Sequence, residues 1–204
     1  MKNNNMSNHW KMWAICLLLS LTSAAAAQSF KGGAAFGLMA SQVDGDNMDG
    51  YHKPGLYGGL FTYLPLHEGN IQLQFGLEYL QKGCKATNTQ AEGALNTYHL
   101  TMHQMGMPLL FRWNCNKPYR LEAGCSINIT PMIRIRRNGE TYPPDEGTYR
   151  FFELGGICGL QWQCNGHWGL HLRFLYSLTP VGKSFYRDFG LRNNSLLLSA
   201  SYTL

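Results

Sequence analysis

From Ile71 to Tyr79 the chain alternates without a break. Ile71, Leu73, Phe75, Leu77 and Tyr79 fall on one side, and Gln72, Gln74, Gly76 and Glu78 on the other. A period of two marks a β-strand whose faces meet different surroundings. The pattern recurs three times. Tyr119, Leu121, Ala123, Cys125, Ile127 and Ile129 oppose Arg120, Glu122, Gly124, Ser126, Asn128 and Thr130. Trp168, Leu170, Leu172, Phe174, Tyr176 and Leu178 oppose Gly169, His171, Arg173 and Ser177. Leu196, Leu198, Ala200, Tyr202 and Leu204 oppose Ser195, Ser199, Ser201 and Thr203. Weaker alternation adds strands at roughly 30–40, 55–64, 98–113 and 149–163, which makes eight. In the fourth, the apolar parity slips from Tyr98, Leu100 and Met102 to Met105, Met107, Leu109, Phe111 and Trp113. A bulge near His103 is expected, because one extra residue reverses the facing of all that follow.

The connections alternate in length. Short links fall at 66–70, 114–118 and 163–167, and long ones at about 41–54, 83–97, 136–148 and 181–193. Asn114-Cys115-Asn116-Lys117-Pro118 and Cys164-Asn165-Gly166 carry turn chemistry. Short periplasmic turns and long extracellular loops are the rule in outer-membrane barrels. The fold expected is therefore all-β, an eight-stranded antiparallel up-and-down transmembrane barrel with both termini on the periplasmic side.

Which face meets lipid follows from energetics. The polar rows carry Glu78, Arg112, Arg120, Glu122, Glu153 and Arg173, and a cation facing lipid at the bilayer midplane costs roughly 2–4 kcal/mol. These rows are expected inside, paired with one another. Tyr63, Tyr79, Phe111, Trp113, Tyr119, Trp162, Trp168 and Tyr202 lie near strand ends and are expected as interfacial girdles. A soluble lipocalin-like barrel is the alternative, with the apolar rows inside. The alternating apolar residues that end at Leu204 resemble an outer-membrane insertion signal and count against it.

Composition supports lipid as a solvent, because charged residues make up only 14% of the chain where a soluble domain carries about 25%. The N-terminus reads as a secretory leader. Lys2 and Lys11 precede an apolar run from Met12 to Leu21, and Ala25 and Ala27 suit signal peptidase. Residues 1–27 are expected to be a cleaved signal peptide and residues 28–204 the barrel domain. Removing two lysines from the 17 basic residues leaves 15 against 12 acidic ones. An excess of three is too small for nucleic-acid binding, which needs a basic stripe or cluster. The remainder has no apolar run near 18 residues, so no membrane-spanning helix is expected.

Several stretches resemble a known family. Phe30-Lys31-Gly32-Gly33 opens the first strand, Gly55-Leu56-Tyr57-Gly58-Gly59-Leu60-Phe61 and Leu64-Pro65-Leu66 form the second, and Leu77-Glu78-Tyr79-Leu80-Gln81-Lys82-Gly83 the third. Met107-Pro108-Leu109-Leu110 and Arg173-Phe174-Leu175-Tyr176-Ser177-Leu178 follow at matching spacing. In order and spacing they resemble the PorT-like outer-membrane β-barrels across nearly the whole chain after the leader. The chain departs from that pattern in ending at Leu204 rather than an aromatic, and in its several cysteines. The resemblance implies an outer-membrane location and a link to protein secretion across that membrane. It brings no active site.

Candidate chemistry is sparse. Eight strands enclose an interior just filled by side chains or holding one small ligand, which argues against a diffusion pore. Asp44-Gly45-Asp46-Asn47-Met48-Asp49-Gly50 invites a calcium reading, but Met48 stands where an EF-hand loop needs Asp or Asn, and a solvated turn is expected. Arg134, Arg136 and Arg137 could contact lipopolysaccharide phosphates, although simple rim placement is the plainer reading. His99 and His103 share a strand face but stand about 13 Å apart, too far to share a metal, and His167 and His171 are disposed alike. No Ser-His pairing stands out as the nucleophile and base that a lipid A-modifying barrel enzyme would need. Cys84, Cys115, Cys125, Cys158 and Cys164 leave at least one thiol unpaired. Cys125 with Cys158, as cross-strand neighbours, and Cys115 with Cys164, at periplasmic turns, are the pairings considered. The reading is a non-enzymatic outer-membrane barrel with a structural, surface-interaction or secretion-accessory role. No catalytic, cofactor-binding or metal residue and no cofactor is assigned. Its partners are outer-membrane lipids, lipopolysaccharide and proteins of the outer membrane or periplasm.

Overall fold

The computed structural model describes residues 30–45, 50–66, 70–89, 95–144, 147–183 and 190–204. Nine strands follow in chain order: β1 (Lys31–Asp44), β2 (Lys53–Leu66), β3 (Ile71–Thr89), β4 (Leu95–Asn116), β5 (Tyr119–Arg137), β6 (Glu140–Tyr142), β7 (Phe152–Gln163), β8 (Trp168–Ser177) and β9 (Arg192–Thr203). Every pairing is antiparallel. Each long strand bonds to its neighbours in sequence, β5 pairs with β7, and β9 returns to β1, so eight strands close on themselves. Closure removes the edges that an open sheet would expose, which the bilayer demands because lipid offers nothing to an unpaired N–H or C=O. β6 stands outside the ring as a three-residue annex to β5.

All eight expected strands are present, and three are longer than the alternation suggested. β3, β4 and β5 run 19, 22 and 19 residues, against 10 to 14 for the other five members of the ring. Much of what reads as loop at 83–97 and 136–148 is therefore strand. The β5–β6 connection is the tight pair Asn138-Gly139, with φ of 51° and 89°. Both are left-handed, as the commonest two-residue hairpin turn requires.

Facing follows the expected energetics through most of the wall. Phe36, Leu38, Leu60, Leu77, Met107, Phe111, Ile127, Leu160, Leu172 and Leu198 are exposed on the outside. Glu78, Arg112, Glu122, Glu153, Gln161 and Arg173 are buried inside, and Arg120 is half-buried. This is the reverse of a lipocalin, so the soluble alternative falls. Tyr79, Phe111, Trp113, Tyr119, Trp162, Trp168 and Tyr202 point outward as a girdle should, but Tyr63 is buried with the Arg112 guanidinium 5.2 Å over its ring. Its position in β2 has inward parity, which outranks its place near a strand end.

The expected bulge exists, but on the other strand. His103 pairs with Met132 and Met105 with Ile129, so the extra residue lies on β5, at Thr130-Pro131-Met132. Proline suits this place because it has no N–H to give to a ladder. β4 itself keeps one parity throughout: Leu100, Met102, Gln104, Leu110 and Arg112 are all buried. The apparent slip in β4 arises because the upper interior is apolar, not because the backbone is irregular.

Candidate functional site

The interior is stratified. At the end near the short turns, Arg120 donates from Nε to Asn114 Oδ1 and from Nη1 to Gln163 Oε1, each at 2.6 Å. Above it, Glu122 is the hub. Arg173 Nε donates to Oε2 at 2.6 Å and Nη2 to Oε1 at 3.3 Å, while Arg112 Nε lies 3.3 Å from Oε1. Arg112 also donates to Gln161 Oε1. His171 Nδ1 lies 3.0 Å from Glu122 Oε1. Arg173 and Tyr57 link this hub to Glu78, since Arg173 Nη1 reaches the Tyr57 hydroxyl at 3.4 Å and that hydroxyl donates to Glu78 Oε2 at 3.2 Å.

An apolar layer of Met39, Leu80, Leu110, Ile157, Leu175 and Leu197 comes next. Beyond it is a second carboxylate hub, Glu153. It accepts from Lys82 Nζ at 2.9 Å, Ser177 Oγ at 2.8 Å, Gln104 Nε2 at 2.5 Å and Asn193 Nδ2 at 2.9 Å. A second apolar layer caps the barrel: Val43, Cys84, Leu100, Met102 and Ile135 from the wall, with Val181 and Leu191 from the final long connection. Small bridges join Gly182 to Tyr149 and to Leu191 in the described parts of that connection. Glu122 and Glu153 thus each have several donors, the condition under which a buried charge is tolerated, whereas among the described residues Glu78 accepts from the Tyr57 hydroxyl alone; the apolar layers fill the space between.

One constellation has catalytic form. Ser201 Oγ lies 2.8 Å from His171 Nε2, whose Nδ1 faces Glu122. With Nδ1 donating to the carboxylate, Nε2 is left to accept from the serine, the tautomer a nucleophile-base-acid relay needs. No local spacing signals it, because the partners lie 30 and 49 residues apart. The three residues are only 2–3% exposed, and Glu122 is already committed to two guanidiniums. An acyl chain or headgroup has no route to that serine without unpacking the floor of the barrel.

The other candidates separate. His103 Nδ1 lies 2.6 Å from the Tyr79 hydroxyl, and His167 Nδ1 lies 2.9 Å from the Thr203 carbonyl, with its ring stacked on Tyr202. No group of three metal-ligating side chains occurs among the described residues. Asp44 accepts from Gln42 Nε2 at 2.9 Å, and residues 46–49 of the acidic turn lie outside the described residues. Among the described residues, Cys115, Cys125, Cys158 and Cys164 join no disulfide. Cys125 faces Gly156 and Cys158 faces Ala123, so the two are diagonal rather than opposite. Cys115 and Cys164 are exposed at their turns.

Beyond the β5 bulge, strand alternation separates the three arginines. Arg134 and Arg136 take the outer face, whereas the Arg137 guanidinium lies 5.6 Å from the Tyr98 ring centroid and 6.0 Å from that of Tyr142. Arg134 is opposite Thr101, and Arg136 is opposite His99, which in turn is opposite Lys85. Desolvation, and then the charges of Lys53, Lys85 and Arg136, hold the His99 imidazole below its ordinary pKa.

Residues 26–182 match the family model of the outer membrane protein beta-barrel domain, well over half of the chain. The chain belongs to this family. No curated protein matches the sequence. Among solved structures, Ail, the attachment invasion locus protein of Yersinia pestis, is similar at 13% identity and a TM-score of 0.48, over 85% of this chain and 98% of that one. The same protein in complex with the heparin analogue sucrose octasulfate gives 12% and 0.47, over 86% and 99%. Neisserial surface protein A gives 11% and 0.49, over 87% and 99%. By its family and its closed ring of antiparallel strands, the chain is a small outer-membrane β-barrel protein.

Proposed function

We propose that this barrel is a non-enzymatic membrane anchor that displays a rigid β-sheet wall at the cell surface for interaction with other molecules. The observation that carries the reading is the contrast between a plugged interior and a tall wall. Two carboxylate hubs and two apolar layers occupy the lumen, while β3, β4 and β5 continue several residues past the apolar band. Side chains occupy the lumen in layers, and the serine-histidine-glutamate relay found among the described residues is buried in that packing. No catalytic, cofactor or metal residue is assigned to it. Residues 1–27 are proposed as the cleaved leader and Gln28 as the mature N-terminus, on the strength of the lysine-apolar-alanine sequence. An intact mass of protein isolated from outer membranes tests that boundary.

The test of function is reconstitution. The purified protein is expected to migrate faster unheated than boiled, to give no stepwise conductance in planar bilayers, and to leave the mass of co-incubated lipid A unchanged. Conductance steps, or removal or addition of an acyl chain on lipid A that Ser201→Ala abolishes, would contradict the reading. A secretion-accessory role of the PorT kind is the second reading, supported by the motif order from Phe30-Lys31-Gly32-Gly33 to Arg173-Phe174-Leu175-Tyr176-Ser177-Leu178. It predicts that deleting the gene strands secreted cargo in the periplasm, and normal secretion would discard it.

A further inference from the structure

We infer that the outer face of the β3–β4–β5 extension is a binding site for the phosphorylated headgroup of outer-leaflet glycolipid, formed by Lys85, Arg134 and Arg136 with His99 and Thr101 between them. Two rows cross the three strands. Gly83, Thr101 and Arg134 are in register, and so are Lys85, His99 and Arg136 one step higher. Neighbouring strands lie about 4.8 Å apart and alternate residues on one strand about 7 Å apart, so the three cations fit within the span of a single bisphosphorylated headgroup. Lys85, Arg134 and Arg136 are exposed, and neither arginine has a carboxylate within ion-pair distance among the described residues.

On the same outer face, β3 brings Gln81 and β4 His103, while Lys53 of β2 is buried on the inner side. From β6, Thr141 pairs with Arg136, and the neighbouring Glu140 carboxylate accepts the Tyr142 hydroxyl at 2.8 Å. Gly83 leaves the row open on its β3 side. Its φ of +142° and the Leu100 carbonyl, 2.0 Å from where a Cβ would sit, both hold the position to glycine.

Height selects the occupant. The last exposed apolar row holds Met132 beside His103 and Gln81. Arg134 is two residues further, about 7 Å along the strand or about 5 Å vertically at the usual barrel tilt of 35–45°. Arg136 is about 10 Å up by the same geometry. The polar zone on each side of a bilayer is roughly 5–8 Å deep. Arg134 therefore stands beside the headgroups, and Arg136 with Lys85 in its row stands at their outer edge, on the side of the wall rather than at the loop tips where a soluble ligand would dock. Guanidiniums suit phosphate because they donate two parallel N–H bonds, and a glycolipid phosphate at this depth needs no approach path.

The inference rests on the chain being an outer-membrane barrel with its long loops outside, which the heat shift in zwitterionic detergent reads independently. The test is binding of the detergent-refolded full chain to lipid nanodiscs of phosphatidylcholine, alone or doped with bisphosphorylated lipid A, at low salt. Lipid A is expected to raise affinity for the nanodisc and to delay heat unfolding. The triple variant Lys85→Ala, Arg134→Ala and Arg136→Ala is expected to lose about 100-fold of that gain, at roughly five-fold per surface cation. Dephosphorylated lipid A is expected to give no gain. Arg134→Lys with Arg136→Lys retains charge but not the paired donors, and an intermediate loss is expected. Should the alanine variant fail to refold, this charge-retaining pair carries the test. Equal gain from dephosphorylated lipid, an unchanged gain in either variant, or protection by a soluble polyanion such as inositol hexakisphosphate but not by lipid A would overturn the proposal.

Discussion

Within the apolar band the barrel wall is polar inside and apolar outside; a few residues higher, the same strands are apolar inside and cationic outside. β5 shows both regimes. Ile127 is exposed to the outside while Asn128 and Thr130 are buried within. Past the bulge, Ile135 is buried in the cap and Arg134 and Arg136 face out. β4 makes the same change with no irregularity, simply by placing Leu100 and Met102 where Gln104 and Arg112 stand lower down. What differs is the medium beyond the wall. Lipid excludes exposed charge and tolerates a polar lumen whose members satisfy each other. Water and headgroups accept charge outside, so a hydrophobic plug becomes the cheapest way to close the mouth.

Substitutions can break that contrast. The largest effect is expected at the lower hub, where Glu122→Ala leaves Arg112 and Arg173 buried without their carboxylate. A loss of about 3–5 kcal/mol follows, measured by urea unfolding in detergent micelles with tryptophan fluorescence. Next comes a cation on the outer wall inside the band. Leu198, 62% exposed, changed to Arg should cost about 2–4 kcal/mol in bilayers. Leu100→Ala in the cap should cost about 2 kcal/mol, at the low end of buried leucine truncations, because the cap can open locally. The smallest effect is expected for Thr101→Arg, also on the outer face but above the band. It should shift stability by less than about 0.5 kcal/mol, and a penalty equal to that of Leu198→Arg would place the band boundary higher than the girdle does.

The strand ladder was legible because period two survives wherever the two media differ, and the alternating turn lengths ordered the strands. The inward set Glu78, Arg112, Arg120, Glu122, Glu153 and Arg173 was legible for the same reason. The place of the bulge was not. Alternation reports contrast between faces rather than direction, so the inverted polarity of Tyr98, Leu100 and Met102 imitated a slipped backbone. The upper strands read as loop because their contrast fades around Gly83 and Asn138-Gly139, although that last pair is itself a hairpin signature. Ser201, His171 and Glu122 come together only through closure of β9 on β8 and contact across the lumen to β5, and no local spacing encodes such a meeting. Proximity along the chain groups Arg137 with Arg134 and Arg136, whereas parity sends it to the aromatic rings of Tyr98 and Tyr142.

The most direct test of the two-regime wall is a lipid-contact scan of β5. Single cysteines at positions 126 to 136, in a background lacking the five native thiols of the barrel, carry a fluorophore quenched by brominated phospholipid. The account predicts strong quenching at 127 and 129, little at 126, 128 and 130, a reset across 131 and 132, and water exposure without deep quenching at 134 and 136. Unbroken alternation from 127 to 136, or quenching at the even positions below 130, would contradict it.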